Sequence, residues 1–275
     1  MNRMGDKVVL ITGTSTGIGL AATWAAMEAD YTTVATLRNL DRADPVRETG
    51  ADVRRLDVTD GESIRECVAG VIAHYGRLDA VVNNAGASVL GTVENLSMDD
   101  FRRALEVNFF GVVEVTKAAM PHLRASQGRV VTVTSVGGAI GQPFNEAYCA
   151  AKFAVEGFMQ SLAPVAATVG VGVSVIEPGA VATEFVANAG VDPEAAVGAA
   201  GPYAPALRNY IDRTLGAYSS SQSADEVADV ILQALAAEPP VFRWQTSAAA
   251  RDFVASSLAD LNGSAVLSMT SGWVL

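Results

Sequence analysis

Short, continuous apolar runs recur along the chain at residues 7–12, 33–37, 53–57, 80–82, 129–134 and 171–176. They are rich in Val, Ile and Thr and lack the in–out alternation of a half-exposed strand. That is the pattern of strands covered on both faces of a parallel sheet. Between them lie longer segments of helical period at 18–29, 62–75, 98–123 and 147–169. Strand and helix alternate throughout, which predicts an α/β fold: a Rossmann-like doubly wound parallel sheet joined by right-handed crossovers.

The pattern changes after the sixth strand. Residues 183–222 are rich in Ala, Gly and Pro, including Pro193, Pro202 and Pro205, and carry only patches of weak helical signal. A long irregular stretch inside a compact domain reads as a functional lid over a substrate site. A helix over 223–237 follows, with Ser223 and Glu226 spaced as a capping box, and Pro239-Pro240 stops it. An edge strand over 241–244 and an amphipathic segment over 249–261 complete a C-terminal extension, 238–275. No repeat or domain boundary interrupts 1–275, so one domain is expected.

Composition narrows the class. The chain has 275 residues, half of them apolar and 18% charged, enough to bury a large core and exclude disorder. Mean hydropathy is +0.27, yet no apolar run reaches the ~18–20 residues of a spanning helix. Nineteen Lys and Arg against 30 Asp and Glu give a net charge of −11, which argues against nucleic acid and anionic membrane as partners. Cys67 and Cys149 make neither a disulfide framework nor, with His74 and His122, a metal site. The few apolar residues behind Arg3 and Lys7 are too short for a signal peptide, so a cytoplasmic location is expected.

Candidate chemistry sits at the strand ends. The first strand runs into Thr12-Gly13-Thr14-Ser15-Thr16-Gly17-Ile18-Gly19 and then a helix. Glycines let the backbone turn sharply against a pyrophosphate, and the helix start offers free N–H groups to it. At the second strand end, where a carboxylate would take a ribose hydroxyl, the chain reads Leu37-Arg38. A guanidinium there suits a 2′-phosphate, so NADP(H) is preferred, with Thr16 as a second phosphate ligand. Asp41 nearby keeps NAD(H) as the alternative. Asp57 reads either as an acceptor for an adenine amine or as a helix cap. Asn83-Asn84-Ala85-Gly86 offers small residues for close approach, or an ordinary turn.

Ser135 ends a strand, and Tyr148 and Lys152 follow four residues apart, on one helix face. A phenol titrates near pH ~10, and a cation within ~4–6 Å lowers that value, making Tyr148 a usable proton donor and acceptor. Ser135 can hydrogen-bond a substrate carbonyl beside it.

Taken together, Thr12 to Gly19, Asn83 to Gly86, Asn108, Ser135, Tyr148 with Lys152, and Pro178-Gly179 followed by Thr183 resemble the short-chain dehydrogenase/reductase family. The surroundings of Ser135 and Tyr148, and the tail from Val241, are similar to its estradiol 17β-dehydrogenase and photoreceptor retinol dehydrogenase branch. The resemblance implies a tetrad. Tyr148 would be the general acid/base and Ser135 the carbonyl orienter. Lys152 would lower the Tyr148 pKa and bind the nicotinamide ribose, and Asn108 would hold a relay water. Gly13, Ser15, Thr16, Gly17, Ile18, Gly19, Asp57, Val58, Asn84, Ala85 and Gly86 would line the adenine and pyrophosphate side. Pro178, Gly179, Val181 and Thr183 would flank the nicotinamide.

The implied reaction is hydride transfer between NADP(H) and a secondary alcohol or ketone, hydrophobic and steroid- or retinoid-like, in a homodimer or homotetramer. The steroid-handling members carry a lid histidine, and this chain has no His after His122. Phe185, Tyr203, Leu207, Tyr210 and Ile211 still make the lid suit an apolar alcohol or ketone, with Val89 and Phe144 as pocket residues and Met159 as core. Two other readings stand beside this one. The first is a biosynthetic ketoreductase on polyketide or acyl intermediates, and the second a cofactor-binding sensor without turnover.

Overall fold

The computed structural model describes residues 7–185, 192–218, 221–259, 261, 262 and 264. Residues 1–6, 186–191, 219, 220, 260, 263 and 265–275, which include parts of the expected lid and extension, lie outside the described residues.

Seven parallel strands form one sheet in the order β3-β2-β1-β4-β5-β6-β7. They are β1 (Val8–Thr12), β2 (Thr32–Leu37), β3 (Asp52–Arg55), β4 (Ala80–Asn83), β5 (Arg129–Val133), β6 (Gly172–Glu177) and β7 (Arg243–Gln245). Each apolar run feeds both faces. Val8 and Leu10 enter one core with Val71, Val115 and Met159, whereas Val9 and Ile11 enter the other with Ala22, Ala26, Val227 and Ile231. Continuous hydrophobicity in the sequence therefore corresponds to helices on both sides.

The first core is covered by α3 (Gly61–Tyr75), α5 (Gly111–Ser126) and α6 (Glu146–Ala167). The second is covered by α1 (Gly17–Glu28) and α9 (Ala224–Ala236), whose buried alanines allow close approach to the sheet. A short α2 (Asp44–Arg47) leads into β3. Local signals fix these helix ends. Asp60 caps α3 by accepting from Glu62 N and Ser63 N at 3.0 and 3.2 Å, and Gly76 ends it at φ +72°. Ser223 and Glu226 form the expected capping box of α9.

Two stretches differ from the sequence reading. Residues 98–123 do not form one helix: α4 (Met98–Leu105) passes into a π-helical turn, Glu106–Phe110, and then α5. The widened turn carries Asn108, which is fully buried. Apolar spacing barely registers one extra residue per turn, so the pattern read straight through it.

The stretch from 183 to 222 is not irregular throughout. It holds α7 (Pro193–Ala199) and α8 (Ala204–Tyr218), with Val197, Leu207 and Ile211 buried against Leu90 and Phe144. Pro193 and Pro205 occupy first helical turns, where a missing N–H costs no intrahelical bond, so these prolines start helices instead of breaking them. Farther on, α10 (Ala248–Ala255) packs Ala250 and Val254, with Leu258 and Leu261, onto Val136 and Ala139. The C-terminal segment thus braces the loop that carries Ser135. No described helix is long and apolar enough to cross a membrane.

Candidate active site

The glycine turn, Arg38, Asp57-Val58, Asn84 to Gly86, Ser135 and the Pro178 to Thr183 loop follow the carboxyl ends of strands, whereas Asn108 lies in the π turn and Tyr148 and Lys152 on α6. In an open parallel sheet the crevice forms at that edge, where strand order reverses between β1 and β4. The β1 turn is pinned from the β4 side. Thr12 Oγ1 accepts from Asn84 N and Ala85 N at 3.0 and 3.1 Å, and Asn84 Nδ2 donates to Thr12 O and Gly13 O at 2.9 and 3.0 Å. The Asn84 amide is therefore spent on holding the turn.

Glycine is obligatory here for reasons of space. Gly13 lies at φ +71°, and a side-chain carbon on it would come within 2.7 Å of Ala85 Cα. At Gly17, φ +58°, the carbon would press Thr183 at 3.1 Å, and at Gly19 it would collide with Gly13 O and meet Asn84 Nδ2 at 2.5 Å. Thr16 caps α1 only through its backbone, with no side-chain hydrogen bond to the first-turn N–H groups. Those donors face a cleft of about 430 Å³ lined by Ser15, Thr16, Gly17, Ala182, Thr183 and Glu184, among others. Ile18 turns its side chain toward the core. This cradle and donor set fit a phosphate-bearing dinucleotide.

The outer positions are looser. Arg38 is exposed immediately after β2. Asp57 Oδ1 accepts from Thr59 N and Thr59 Oγ1 at 3.0 and 2.8 Å, a local turn, so the helix cap is Asp60 and not Asp57. Val58 packs on Gly111 at the start of α5. Pro178 O accepts from Val136 N at 2.9 Å, tying the β6 loop to the β5 loop, and Gly179 approaches Ala250. Val181 bridges Gln222, and Thr183 Oγ1 accepts from Phe185 N at 3.4 Å.

At the centre, a carbon built on Gly137 would lie 3.3 Å from Ser135 Oγ, 3.4 Å from Tyr148 Cε1 and 3.3 Å from Gln142 Nε2. The serine and the phenol ring therefore converge on one point. Ser135 Oγ also accepts from Gly137 N at 3.0 Å, which fixes its rotamer. Lys152 Nζ lies 5.7 Å from the Tyr148 ring centre and donates to Val133 O at 3.0 Å. Burial pushes the Lys152 ammonium down to about 8, opposed by the nearby Glu156. Asn108 Oδ1 accepts from Ala87 N at 3.1 Å, and its Nδ2 donates to Ala87 O and Ala104 O, both at 2.9 Å. Its side chain is thus committed to protein groups beside Gly86, whose side-chain carbon would meet it at 3.0 Å.

Residues 7–194 match the family described as short chain dehydrogenase. This chain belongs to that family. Over 279 aligned residues it is 34% identical to retinol dehydrogenase 8 of Bos taurus, covering 94% of this chain and 87% of that one. It is 35% identical over 276 residues to 17-beta-hydroxysteroid dehydrogenase type 1 of Homo sapiens, with 95% and 84% covered. A crystal structure of a short chain dehydrogenase/reductase from Burkholderia phymatum in complex with NAD superposes with a TM-score of 0.79. Its identity is 26%, with 92% and 93% of the chains covered. As a short chain dehydrogenase, the protein is an oxidoreductase built on a Rossmann-like sheet.

Sequence reasoning missed two groups around the short chain dehydrogenase site. Asn145 Nδ2 donates to Tyr210 OH at 2.7 Å, and Tyr210 OH donates to Gln142 Oε1 at 3.4 Å, so a chain of polar groups joins α8 to the loop before α6. The Phe144 and Tyr210 rings meet at a tilt of 58° with centres 5.7 Å apart, and Phe185 lies 5.9 Å from the Tyr148 ring. Met159 is core, as expected, whereas Val89, expected in the pocket, is buried in a small cluster with Ala104 and Ala147. The second group is the buried set Glu156, Glu177 and Arg243 behind Lys152. Only the unusual apolar context of Glu156 within 153–159 could have flagged it.

Proposed function

We propose that the enzyme interconverts a secondary alcohol and a ketone using NADP(H), with NAD(H) the alternative, and takes an apolar substrate. One observation carries this reading: Ser135 Oγ and the Tyr148 ring meet at a single point while Lys152 lies behind that ring. When bound, the nicotinamide would supply the hydride in reduction and accept it in oxidation. The chain's own groups do the rest. Tyr148 gives its proton to the carbonyl oxygen in reduction and takes it back in oxidation. Ser135 donates to the same oxygen and fixes its position. Lys152 presents positive charge to the phenol, favouring its ionised form.

The side chain of Asn108 has its donors occupied, so a relay water beside it is held by a main-chain carbonyl that the π turn frees, with Asn108 as the clamp for that turn. Gly13, Ser15, Thr16 and Gly17 hold the pyrophosphate. Arg38 takes the 2′-phosphate, and Pro178, Gly179, Val181 and Thr183 border the nicotinamide.

Phe144, Phe185, Leu90 and the helices α7 and α8 roof the substrate, which favours an apolar ligand. The polar chain Asn145–Tyr210–Gln142 in that roof favours the ketoreductase reading, in which the substrate carries a second polar group. A homodimer or homotetramer is supported by exposed Phe110, Phe153, Val165 and Val169 flanking the surface of α5 and α6. The test is loss of NADPH absorbance with a panel of ketones, β-ketoacyl compounds and quinones. Turnover with an apolar ketone is expected. Cofactor binding without oxidation by any member would replace this reading with that of a sensor.

A further inference from the structure

The turn that leads into α6 is built around a strained backbone position. Asn145 N donates to Gln142 O at 3.2 Å, which closes a β-turn with Pro143 and Phe144 at its centre. Proline suits the first central position, but Phe144 lies at φ +61°, where such a turn ordinarily takes glycine. The surrounding structure holds this conformation from outside. Phe144 O accepts from Gly91 N at 3.0 Å, and the side chain packs against the cluster of Val197, Leu207 and Ile211. Gln142 N donates to Cys149 Sγ at 3.4 Å, which ties the start of the turn to α6.

The Gln142 side chain therefore has a fixed origin, and its neighbours orient its amide. Asn145 Nδ2 donates to Pro143 O at 3.1 Å and to Tyr210 OH at 2.7 Å. A main-chain carbonyl can only accept, so the Asn145 nitrogen is held on that side. Tyr210 OH in turn donates to Gln142 Oε1 at 3.4 Å, so the amide oxygen faces α8. The amide nitrogen faces the working site. The three atoms nearest a carbon built on Gly137 are Ser135 Oγ at 3.3 Å, Tyr148 Cε1 at 3.4 Å and Gln142 Nε2 at 3.3 Å. Among the described residues the Gln142 side chain hydrogen-bonds only through Oε1, which leaves the Nε2 protons for a ligand.

We propose that Gln142 is a specificity-determining residue whose Nε2 donates to a second oxygen of the substrate, two or three bonds from the reacting carbonyl carbon. The substrate class is then a ketone with an adjacent acceptor, as in a β-keto ester. This rests on the alcohol–ketone reading, in which Ser135 and Tyr148 take the reacting oxygen, and it adds what flanks that oxygen. A plain ketone brings the half-buried amide no acceptor, whereas a second carbonyl there pairs it. A site built to hydrogen-bond one substrate group disfavours the analogue that lacks it.

Ethyl 3-oxohexanoate and 4-nonanone test this, because they share chain length and ketone position and only the first carries a second carbonyl. Comparing each variant with wild type on the same compound cancels their difference in intrinsic reactivity. Gln142→Leu should lower the keto ester-to-ketone ratio of kcat/KM about tenfold, the loss of one hydrogen bond. Gln142→Glu keeps the shape without the donor and should lower it at least as far. A ratio within about twofold of wild type in both variants overturns the proposal, since a residue that only supports the turn weakens both substrates alike. The second readout is calorimetric binding of ethyl 3-oxohexanoate to the protein loaded with NADP+, which holds no hydride to give. Gln142→Leu should weaken this binding about tenfold. Equal affinity in wild type and variant, or no binding to either, overturns the proposal. If wild type reduces neither compound, the proposed function fails and the calorimetric result alone decides the role of Gln142.

Discussion

Asn108 grips Ala87 by both of its backbone groups, accepting from Ala87 N at 3.1 Å and donating to Ala87 O at 2.9 Å, as a neighbouring strand would. This clamp joins the π turn before α5 to the loop after β4, and it holds Gly86 in the crevice. Replacing Asn108 with Ala strips partners from the Ala87 amide and from the Ala87 and Ala104 carbonyls, each buried or half-buried. Unpaired groups of this kind cost about 1–3 kcal/mol each, so Asn108→Ala should destabilise the fold by about 3 kcal/mol. Urea unfolding measures it. A loss under about 1 kcal/mol would mean that solvent replaces these bonds without cost.

Glycine substitutions separate space from propensity. Gly19→Ala drives a carbon into Gly13 O and Asn84 Nδ2 and should weaken NADPH affinity at least tenfold, read by fluorescence titration. Gly157 is exposed within α6, with nothing within 4 Å of an added carbon. Gly157→Ala should therefore raise stability by about 0.5–1 kcal/mol through helix propensity, seen as a Tm increase of a few degrees. Equal effects of the two changes would remove the close-approach argument.

How much of this was legible beforehand follows from kinds of signal. The strand ends, the glycine turn and the Tyr148–Lys152 spacing are local, and the structure puts Ser135 and Tyr148 at one point. The π turn and the helices α7 and α8 were not legible. One extra residue per turn hardly disturbs apolar periodicity, and Pro193 and Pro205 read as breakers unless their first-turn position is known. The Glu156–Arg243–Glu177 cluster was hidden for another reason. It joins residues up to 87 positions apart that meet only through sheet register.

If Arg38, exposed immediately after β2, takes the 2′-phosphate as proposed, cofactor choice turns on it. Arg38→Asp should lower the NADPH-to-NADH ratio of kcat/KM by about 10- to 100-fold, the worth of a charge-assisted bond to a 2′-phosphate. An unchanged ratio would return preference to NAD(H).

Burial pushes the Cys67 thiol up to about 11. Below the ordinary thiol value of about 8.5 the folded and unfolded chains bind the same proton. Between about 8.5 and 11 the unfolded chain releases it first, so this group's contribution to stability is lost as pH rises through that window. Iodoacetamide at pH 8.5 should leave Cys67 unmodified in the native protein and alkylate it in urea. Rapid native labelling would contradict the buried, protonated thiol.

The central claim is that Tyr148 moves the proton while the rest of the site binds and orients. Tyr148→Phe keeps the ring beside Phe185 and removes only the hydroxyl. Its kcat for NADPH-dependent ketone reduction should fall at least 100-fold, with the NADPH dissociation constant changed less than about threefold. A kcat near that of wild type would contradict the account.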